Sequence, residues 1–281
     1  MIGVIGGSGL YAMEGLEDVE QVALETPFGA PSDAYVVGTL EGRRVAFLPR
    51  HGRGHRLSPS EVPSRANIHG FKQLGVRYLI SVSAVGSLRE DYAPGHVVVP
   101  DQLFDRTKGL RPDSFFGEGV VAHIAFDSPF CPVLSERLLA AAQGAGATTH
   151  RGGTLVVMEG PQFSTIAESQ ENRRRGHDLI GMTALPEAKL AREAEIAYAT
   201  LAMVTDYDSW HSGHAAVTVE AVVAVLQANV RLSQQIVRAA IPLIGDGFDS
   251  PAHHALASAI MTDRAAISAA ARERLRLIAD L

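Results

Sequence analysis

Several short segments of this chain carry residue types that can do chemistry, and most of them follow an apolar run. The first is Gly3-Val-Ile-Gly-Gly-Ser-Gly9. Glycines clustered at a strand end let backbone N–H groups approach an anion with no Cβ in the way. Ser8 adds a hydroxyl donor, so the loop predicts a bound phosphate, with a plain tight turn as the alternative. A dinucleotide is disfavoured. Its fingerprint needs G-x-G-x-x-G opening a helix, with an acid about 20 residues on. Here the glycines fall at 3, 6, 7 and 9, and Tyr11–Asp18 is broken by Gly15. Glu25 stands at a suitable distance but is a weak match alone. No Lys-Ser/Thr follows, which excludes a Walker loop.

Pro49-Arg50-His51-Gly52-Arg53-Gly54-His55-Arg56 ends a second apolar run. Arginine is the fork that grips phosphate oxygens. His51 and His55 have a metal-ligand spacing, but Gly52 and Gly54 speak against a helix that would use it, and a basic turn is the plain alternative. Ser81-Val-Ser-Ala-Val-Gly-Ser-Leu88 is a third strand end, rich in hydroxyls. Ligands bind at such ends in open α/β sheets, so Ser8, Arg50 and Ser83 could converge on one anion. Glu159 and Phe163, in Met158-Glu-Gly-Pro-Gln-Phe-Ser164, either line a pocket or pack a turn. Thr205-Asp-Tyr-Asp-Ser-Trp210 follows another apolar strand. Its two carboxylates make a poor metal cage without a third acid. They either form a solvated turn or read a purine, since a protonated carboxyl gives to N7 and accepts from N6.

Bulk properties narrow the classes. The chain has 281 residues, 46% hydrophobic and 20% charged, as expected of a globular protein with a sizeable core. Its net charge of −6 argues against a nucleic-acid surface. The run Arg173-Arg174-Arg175 reads as a solvated helix face rather than an anion site. A single cysteine, Cys131, allows no internal disulfide and fits a reducing cytoplasm. No stretch is long and apolar enough to span a membrane, and the start lacks the basic region of a signal peptide. No zinc pattern is present.

The elements that must position these residues follow from periodicity. Strands are predicted at Ile2–Ile5, Ala34–Leu40, Arg43–Leu48, Tyr78–Val82, His96–Val99, Thr154–Met158 and Ala197–Val204. Glu41-Gly42 reads as a hairpin turn. Helices are predicted at Ser60–Leu74, Ser135–Gln143, Ala167–Arg175 and Pro186–Glu195. The clearest runs from after Thr218 to about Ile241, with apolar residues at Val219, Val222, Val223 and Leu226 and with Pro242 and Gly245 closing it. Residues 1–245 thus read as one α/β domain. Residues 246–281 read as a linker and a tail of two short helices, and whether the tail belongs to that domain is left open.

Taken together, seven ordered segments covering about residues 2–245 resemble the trimeric branch of the purine nucleoside phosphorylase and methylthioadenosine phosphorylase family. They are Gly3–Gly9, Thr26–Ser32, Arg50–His55, Ser83–Arg89, Glu159–Ser164, Met182–Glu187 and Thr205–Trp210. The resemblance implies a nucleoside phosphorylase fold, a mixed central sheet flanked by helices. It implies phosphate ligands at Ser8, Arg50, His51, Ser83, Ala84 (through its N–H) and Thr183, and Met182 against the ribose. Phe163 and Ser164 would border the base, with Asp206 as its acid and Asp208 as a second reader. Val219, Val222 and Val223 would surround the 5′ substituent, and His123 would be lent by a neighbouring subunit. It further implies a cytoplasmic homotrimer, no metal or cofactor, and inorganic phosphate as co-substrate. Ser8 and Ser83 stand where many members have Thr, and Val85 where some have Cys. Members acting on 6-oxopurines usually have Asn at the position of Asp206, so a 6-amino base and phosphorolysis of a methylthioadenosine-type nucleoside are expected. A 6-oxopurine phosphorylase, a hydrolytic nucleosidase and a non-catalytic nucleoside or phosphate sensor are the rival readings.

Overall fold

A computed structural model describes all residues except 8, 11–12, 212–218 and 246, and describes 219–228 by backbone alone. In chain order the strands and helices begin β1 (Ile2–Gly6), β2 (Glu17–Val22), β3 (Tyr35–Leu40), β4 (Arg43–Pro49), α1 (Ser64–Gln73), β5 (Tyr78–Ser87), β6 (Val97–Val99) and β7 (Gln102–Arg106). There follow α2 (Pro132–Gly144), β8 (Thr149–Arg151), β9 (Thr154–Met158), α3 (Ile166–Arg174), β10 (Leu179–Gly181) and α4 (Ala184–Glu193). The chain ends with β11 (Ala197–Asp206), α5 (Val219–Ile244) and α6 (Ala269–Leu275).

All the strands join one mixed sheet of 11 strands. Its main path is β2-β3-β4-β1-β5-β10-β9-β7, while β11 pairs with β5 and β6, and β6 with β8. Helices cover both faces, which is why the central strands read as continuous apolar runs rather than alternating ones. The alternation survives in which core each side chain enters. Ile5, Val37, Ala46 and Leu48 face a core closed by Ile68 and Phe71 of α1 and Ala188 and Ala191 of α4. Val4, Val36, Val45 and Phe47 face the opposite core, closed by Leu134 and Leu138 of α2 and Ile236, Val237 and Ile241 of α5.

The tail does not stand apart. Ile267, Ala271, Leu275 and Ile278 are buried in the first core, and Ala252 in the second. Only α6 is an α-helix there. The first of the two short helices expected in the tail is absent among the described residues: Pro251–His254 is a single 3-10 turn, and a second such turn, Arg264–Ala266, precedes α6. Pro242 lies inside the last turn of α5 instead of ending it, and Gly245, at φ +62°, supplies the left-handed residue that does. Helix α1 starts at Ser64 rather than Ser60, because Pro63 disfavours helical geometry in the residue before it. The same rule makes Leu185 extended (φ −117°, ψ 137°) before Pro186, so the regular part of α4 starts where the sequence predicts.

Candidate active site

Strand β5 organises the site. Along one edge it pairs with β11 from Tyr78 to Gly86. Along the other, β1 accompanies it only from Tyr78 to Ser81, and β10 joins only at Gly86 and Ser87. Between Ser81 and Gly86 that edge has no strand partner among the described residues. The Val82 carbonyl points into the gap and accepts from Arg50 Nη1 at 3.1 Å. Backbone groups two residues apart along a strand point to the same edge, so the exposed Ala84 aims its N–H there too.

Three strand ends converge on this gap. β10 runs antiparallel to β5 with Leu179 opposite Ser87 and Ile180 opposite Gly86. Continuing that register sets Thr183 opposite Ser83, and their hydroxyls meet at 3.1 Å. β1 ends at Gly6, whose carbonyl accepts from the N–H of Arg50 at 2.9 Å, so the glycine loop and the arginine turn leave the sheet side by side. Gly9 has φ +103°, and a Cβ there would lie 2.9 Å from Val230 Cγ1 of α5. Gln234 of the same helix donates to its carbonyl at 2.6 Å. Ser8 lies outside the described residues.

Arg50 is 2% exposed and held by Glu187, with Nε donating to Oε2 at 2.8 Å and Nη2 to Oε1 at 3.0 Å. His51 follows, nearly buried, and its Nδ1 lies 2.8 Å from the Leu57 carbonyl. A carbonyl only accepts, so Nδ1 carries the proton and Nε2 is the free acceptor of the neutral ring. Burial, then the charge of Arg50, pushes the His51 imidazole down to about 4. His55 stacks on it at 4.4 Å, and Asp33 Oδ2 fixes the turn by accepting from the Arg53 N–H at 2.8 Å. The His51–His55 pair therefore belongs to a turn, and among the described residues no cluster of three acids, histidines or cysteines could hold a metal.

The two carboxylates sit three residues further along β5, about 10 Å from Ser83. Strand β11 tracks β5 residue for residue until Val204 opposite Val85, then slips so that Asp206 faces Gly86. The extra residue, Thr205, donates through Oγ1 to Asp206 Oδ1 at 2.7 Å. The Asp208 N–H donates to Asp206 Oδ2 at 2.9 Å. Gly86 leaves the room: a Cβ there would lie 3.0 Å from Asp206 Oδ2 and 3.3 Å from Asp208 Cβ. Burial raises the Asp206 carboxyl, against the lowering by its Thr205 and Asp208 partners. Asp208 is raised as well, chiefly by burial. It is buried at φ +51°, and its Oδ2 has no hydrogen-bond partner among the described residues. A buried acceptor without a donor is the mark expected of a group that meets a ligand N–H.

A second loop closes over this end. Ser209 Oγ donates to the Ser164 carbonyl at 2.7 Å, which ties the buried Ser164 to the turn carrying Asp208. Phe163, by contrast, is 42% exposed. Met182 is half-buried, and its Sδ lies 2.5 Å from where a Cβ on Gly160 would be. His123 is exposed, on a segment whose N–H bonds to the Ala259 carbonyl at 2.9 Å. The side chains of Val219, Val222 and Val223 fall outside the described residues. Arg174 and Arg175 pair with Glu171, and Arg173 lies over the Trp210 ring at 3.4 Å, so the triple-arginine run forms a surface face.

Two buried charge pairs behind the site escaped the sequence reading of function. One is Arg50–Glu187, where Glu187 is quoted only as the end of a motif. The other is Arg111–Glu159, whose side chains meet at 2.8 Å. Arg111 also donates to the carbonyls of Met182 at 2.6 Å and Leu185 at 2.7 Å. Glu159 accepts from the Lys108 N–H at 2.7 Å, and it is held at about 2 by hydrogen bonds and the Arg111 charge despite burial. Glu159 is thus a brace, the packing alternative of the sequence reading. The available signal was a lone charge within an otherwise apolar helix start (Glu187), whereas Arg111 has none.

The model of the phosphorylase superfamily matches residues 1–242. This chain belongs to that superfamily. The phosphorylase is 74% identical to the S-methyl-5′-thioadenosine phosphorylase of Chloroflexus aurantiacus over 99% of its own length and 96% of that protein. It is 59% identical to the enzyme of the same name from Geobacter sulfurreducens, covering 99% of this chain and 97% of that one. A methylthioadenosine phosphorylase from an antarctic soil metagenomic library superposes with a TM-score of 0.95 at 50% identity, covering 99% and 98% of the two chains. The methylthioadenosine phosphorylase of Schistosoma mansoni in complex with adenine superposes at 0.83 with 36% identity, over 88% of this phosphorylase and 92% of that chain. These matches agree with the nucleoside phosphorylase fold expected from the sequence.

Proposed function

We propose that this phosphorylase is a pentosyltransferase that splits S-methyl-5′-thioadenosine with phosphate into adenine and 5-methylthioribose 1-phosphate. The observation that carries the reading is the order of groups along β5. The hydroxyl pair of Ser83 and Thr183 stands at one end and the raised carboxyl of Asp206 at the other, about 10 Å apart along the strand.

Phosphate is received in the edge gap by the Ala84 N–H, the hydroxyls of Ser8, Ser83 and Thr183, and Arg50, while His51 Nε2 accepts the hydroxyl proton of monohydrogen phosphate. Met182 lies against the ribose. As the C1′–N9 bond stretches, the sugar gains positive charge, which the phosphate stabilises before one of its oxygens bonds to C1′. The electron pair of the broken bond goes to adenine, and Asp206 supplies a proton to N7. Burial favours the protonated form that this role needs. Asp208 Oδ2, an unmatched acceptor, suits the exocyclic amine of a 6-aminopurine. Phe163 and Ser164 border the base, and Val219, Val222 and Val223 surround the methylthio group. Phosphate is the nucleophile, so the reaction calls for no cofactor or metal.

The reading includes a homotrimer acting in the cytoplasm, with His123 reaching a neighbour's site. The exposed apolar side chains of Val121 (49%) and Met261 (65%), on backbone joined by a 2.9 Å hydrogen bond, flank His123 and suit a subunit boundary. Adenine release from methylthioadenosine, 5′-deoxyadenosine and adenosine, with and without phosphate, tests the function. Release from methylthioadenosine stops without phosphate. An undiminished rate in its absence would make the protein a nucleosidase, and binding without release would make it a sensor.

A further inference from the structure

The guanidinium of Arg50 has five N–H donors. The Nε–H and one Nη2–H form a fork onto the two oxygens of Glu187, at 2.8 and 3.0 Å. The remaining Nη2–H has Ser81 Oγ at 2.7 Å and the Ile5 carbonyl at 3.3 Å as acceptors. One Nη1–H goes to the Val82 carbonyl at 3.1 Å. A single N–H, the second on Nη1, is left over among the described residues. Its nitrogen is bonded to the residue before Ser83, at the lip of the edge gap. Arginine ordinarily grips an oxyanion with two parallel N–H bonds. Here the fork is already occupied, and both side chains of the pair are only 3% exposed.

Glu187 is itself fixed. The Tyr198 hydroxyl donates to its Oε1 at 2.8 Å, and Thr200 Oγ1 donates to the Tyr198 oxygen at 3.3 Å. All these groups are buried, so the guanidinium cannot rotate to offer its forked edge without leaving a buried carboxylate unpaired. Its charge is also matched before an anion arrives.

We infer that Glu187, backed by Tyr198, is a positioning residue for phosphate: it locks Arg50 by its forked edge so that one Nη1–H of fixed direction meets the anion. Recognition of phosphate then rests on neutral donors around one oriented N–H, with the net charge of an unpaired arginine withheld. The inference rests on the phosphorolytic reading and deepens it.

The test is Glu187→Gln. The side chain keeps its shape but presents one acceptor and one donor, so an N–H of the arginine fork faces an N–H of the amide. The KM for phosphate rises about tenfold or more, the worth of a charge-assisted hydrogen bond. The KM for the nucleoside, and the affinity for adenine measured directly by calorimetry, stay within about twofold. A loss of structure alone would move both substrates together. An unchanged or lowered phosphate KM, the latter meaning that the freed charge of Arg50 outweighs its orientation, or an equal rise for nucleoside and phosphate, overturns the inference. If the variant does not fold, Tyr198→Phe decides. It removes one donor to Glu187 and raises the phosphate KM about two- to fivefold, and no rise overturns the inference. Failure of the functional reading is separate: it shows in the unmodified protein, as adenine release that ignores phosphate.

Discussion

Replacing Asp206 with Asn asks whether its carboxyl acts as an acid or only as a hydrogen-bonding shape. The structure says how the amide would sit. The Asp208 N–H, now 2.9 Å from Oδ2, can only donate, so the Asn carbonyl must take that side. The amide nitrogen then faces Thr205, whose hydroxyl now donates to Oδ1 at 2.7 Å and also lies 3.2 Å from the Val85 carbonyl. That hydroxyl can turn its proton to Val85 and accept from the amide. Both local bonds survive, and stability should change by less than about 1 kcal/mol. What Asn lacks is a proton to give. A positioned general acid contributes about 10²–10⁴-fold, or about 3–5.5 kcal/mol of barrier at 1.36 kcal/mol per decade. The kcat/KM for methylthioadenosine should fall by that factor. A 6-oxopurine nucleoside such as inosine should lose less, because Asn satisfies a 6-oxo base that Asp leaves mismatched by about 1–3 kcal/mol. The assay is base release for both nucleosides at saturating phosphate. A loss below about tenfold, or an equal loss on both bases, would refute Asp206 as the acid that reads the base.

Two further outcomes follow from the buried charges. Arg111→Met leaves Glu159 buried without its partner and frees the Met182 and Leu185 carbonyls, so unfolding in urea should show a loss of about 3–5 kcal/mol, and a loss below about 1 kcal/mol would mean the pair is dispensable. Acid should destabilise the fold in two stages. An unfolded histidine titrates near the ordinary imidazole value of 6.5, while His51 is held down to about 4, so its contribution is present above 6.5 and is lost as the pH falls toward 4. His69, His150, His177 and His253 are shifted the same way, chiefly by burial. Glu159 adds stability above the ordinary glutamate value of 4.5 that is lost as the pH falls through about 2. Urea unfolding from pH 7 to pH 5 should show the histidine stage, shallower in His51→Gln, and identical slopes would count against a neutral, buried His51.

The central strands and long helices were legible because burial on both faces writes them as apolar runs. The strands missed were β2, β7, β8 and β10. Strands β2 and β7 are the two ends of the sheet's main path, where Glu17–Val22 and Gln102–Arg106 are polar and largely exposed. Such charges keep an edge from pairing with another chain, and they erase the strand signal at the same time. Strands β8 and β10 have three residues each, too few for any period to appear. In the site, the sequence pointed to Ser83 and Thr183, which the fold brings within hydrogen-bond reach, and to Asp206 beside Gly86. It could not disclose Glu187 or Arg111. Their partners stand 137 residues (Arg50) and 48 residues (Glu159) away, and the one local mark is the place of Glu187 as a lone charge in an apolar helix start.

The interrupted edge of β5 has a thermodynamic side. A sheet ordinarily spends every central N–H and carbonyl on a neighbouring strand, yet from Val82 to Val85 one edge of an inner strand meets, among the described residues, an arginine and no strand. An anion bonded to the Ala84 N–H would act as a missing rung, joining the ends of β1, β4 and β10 across the opening. Phosphate would then be a folding ligand as well as a reactant. The protein's resistance to unfolding would climb with phosphate concentration, by about 2.7 kcal/mol at a hundredfold excess over the dissociation constant.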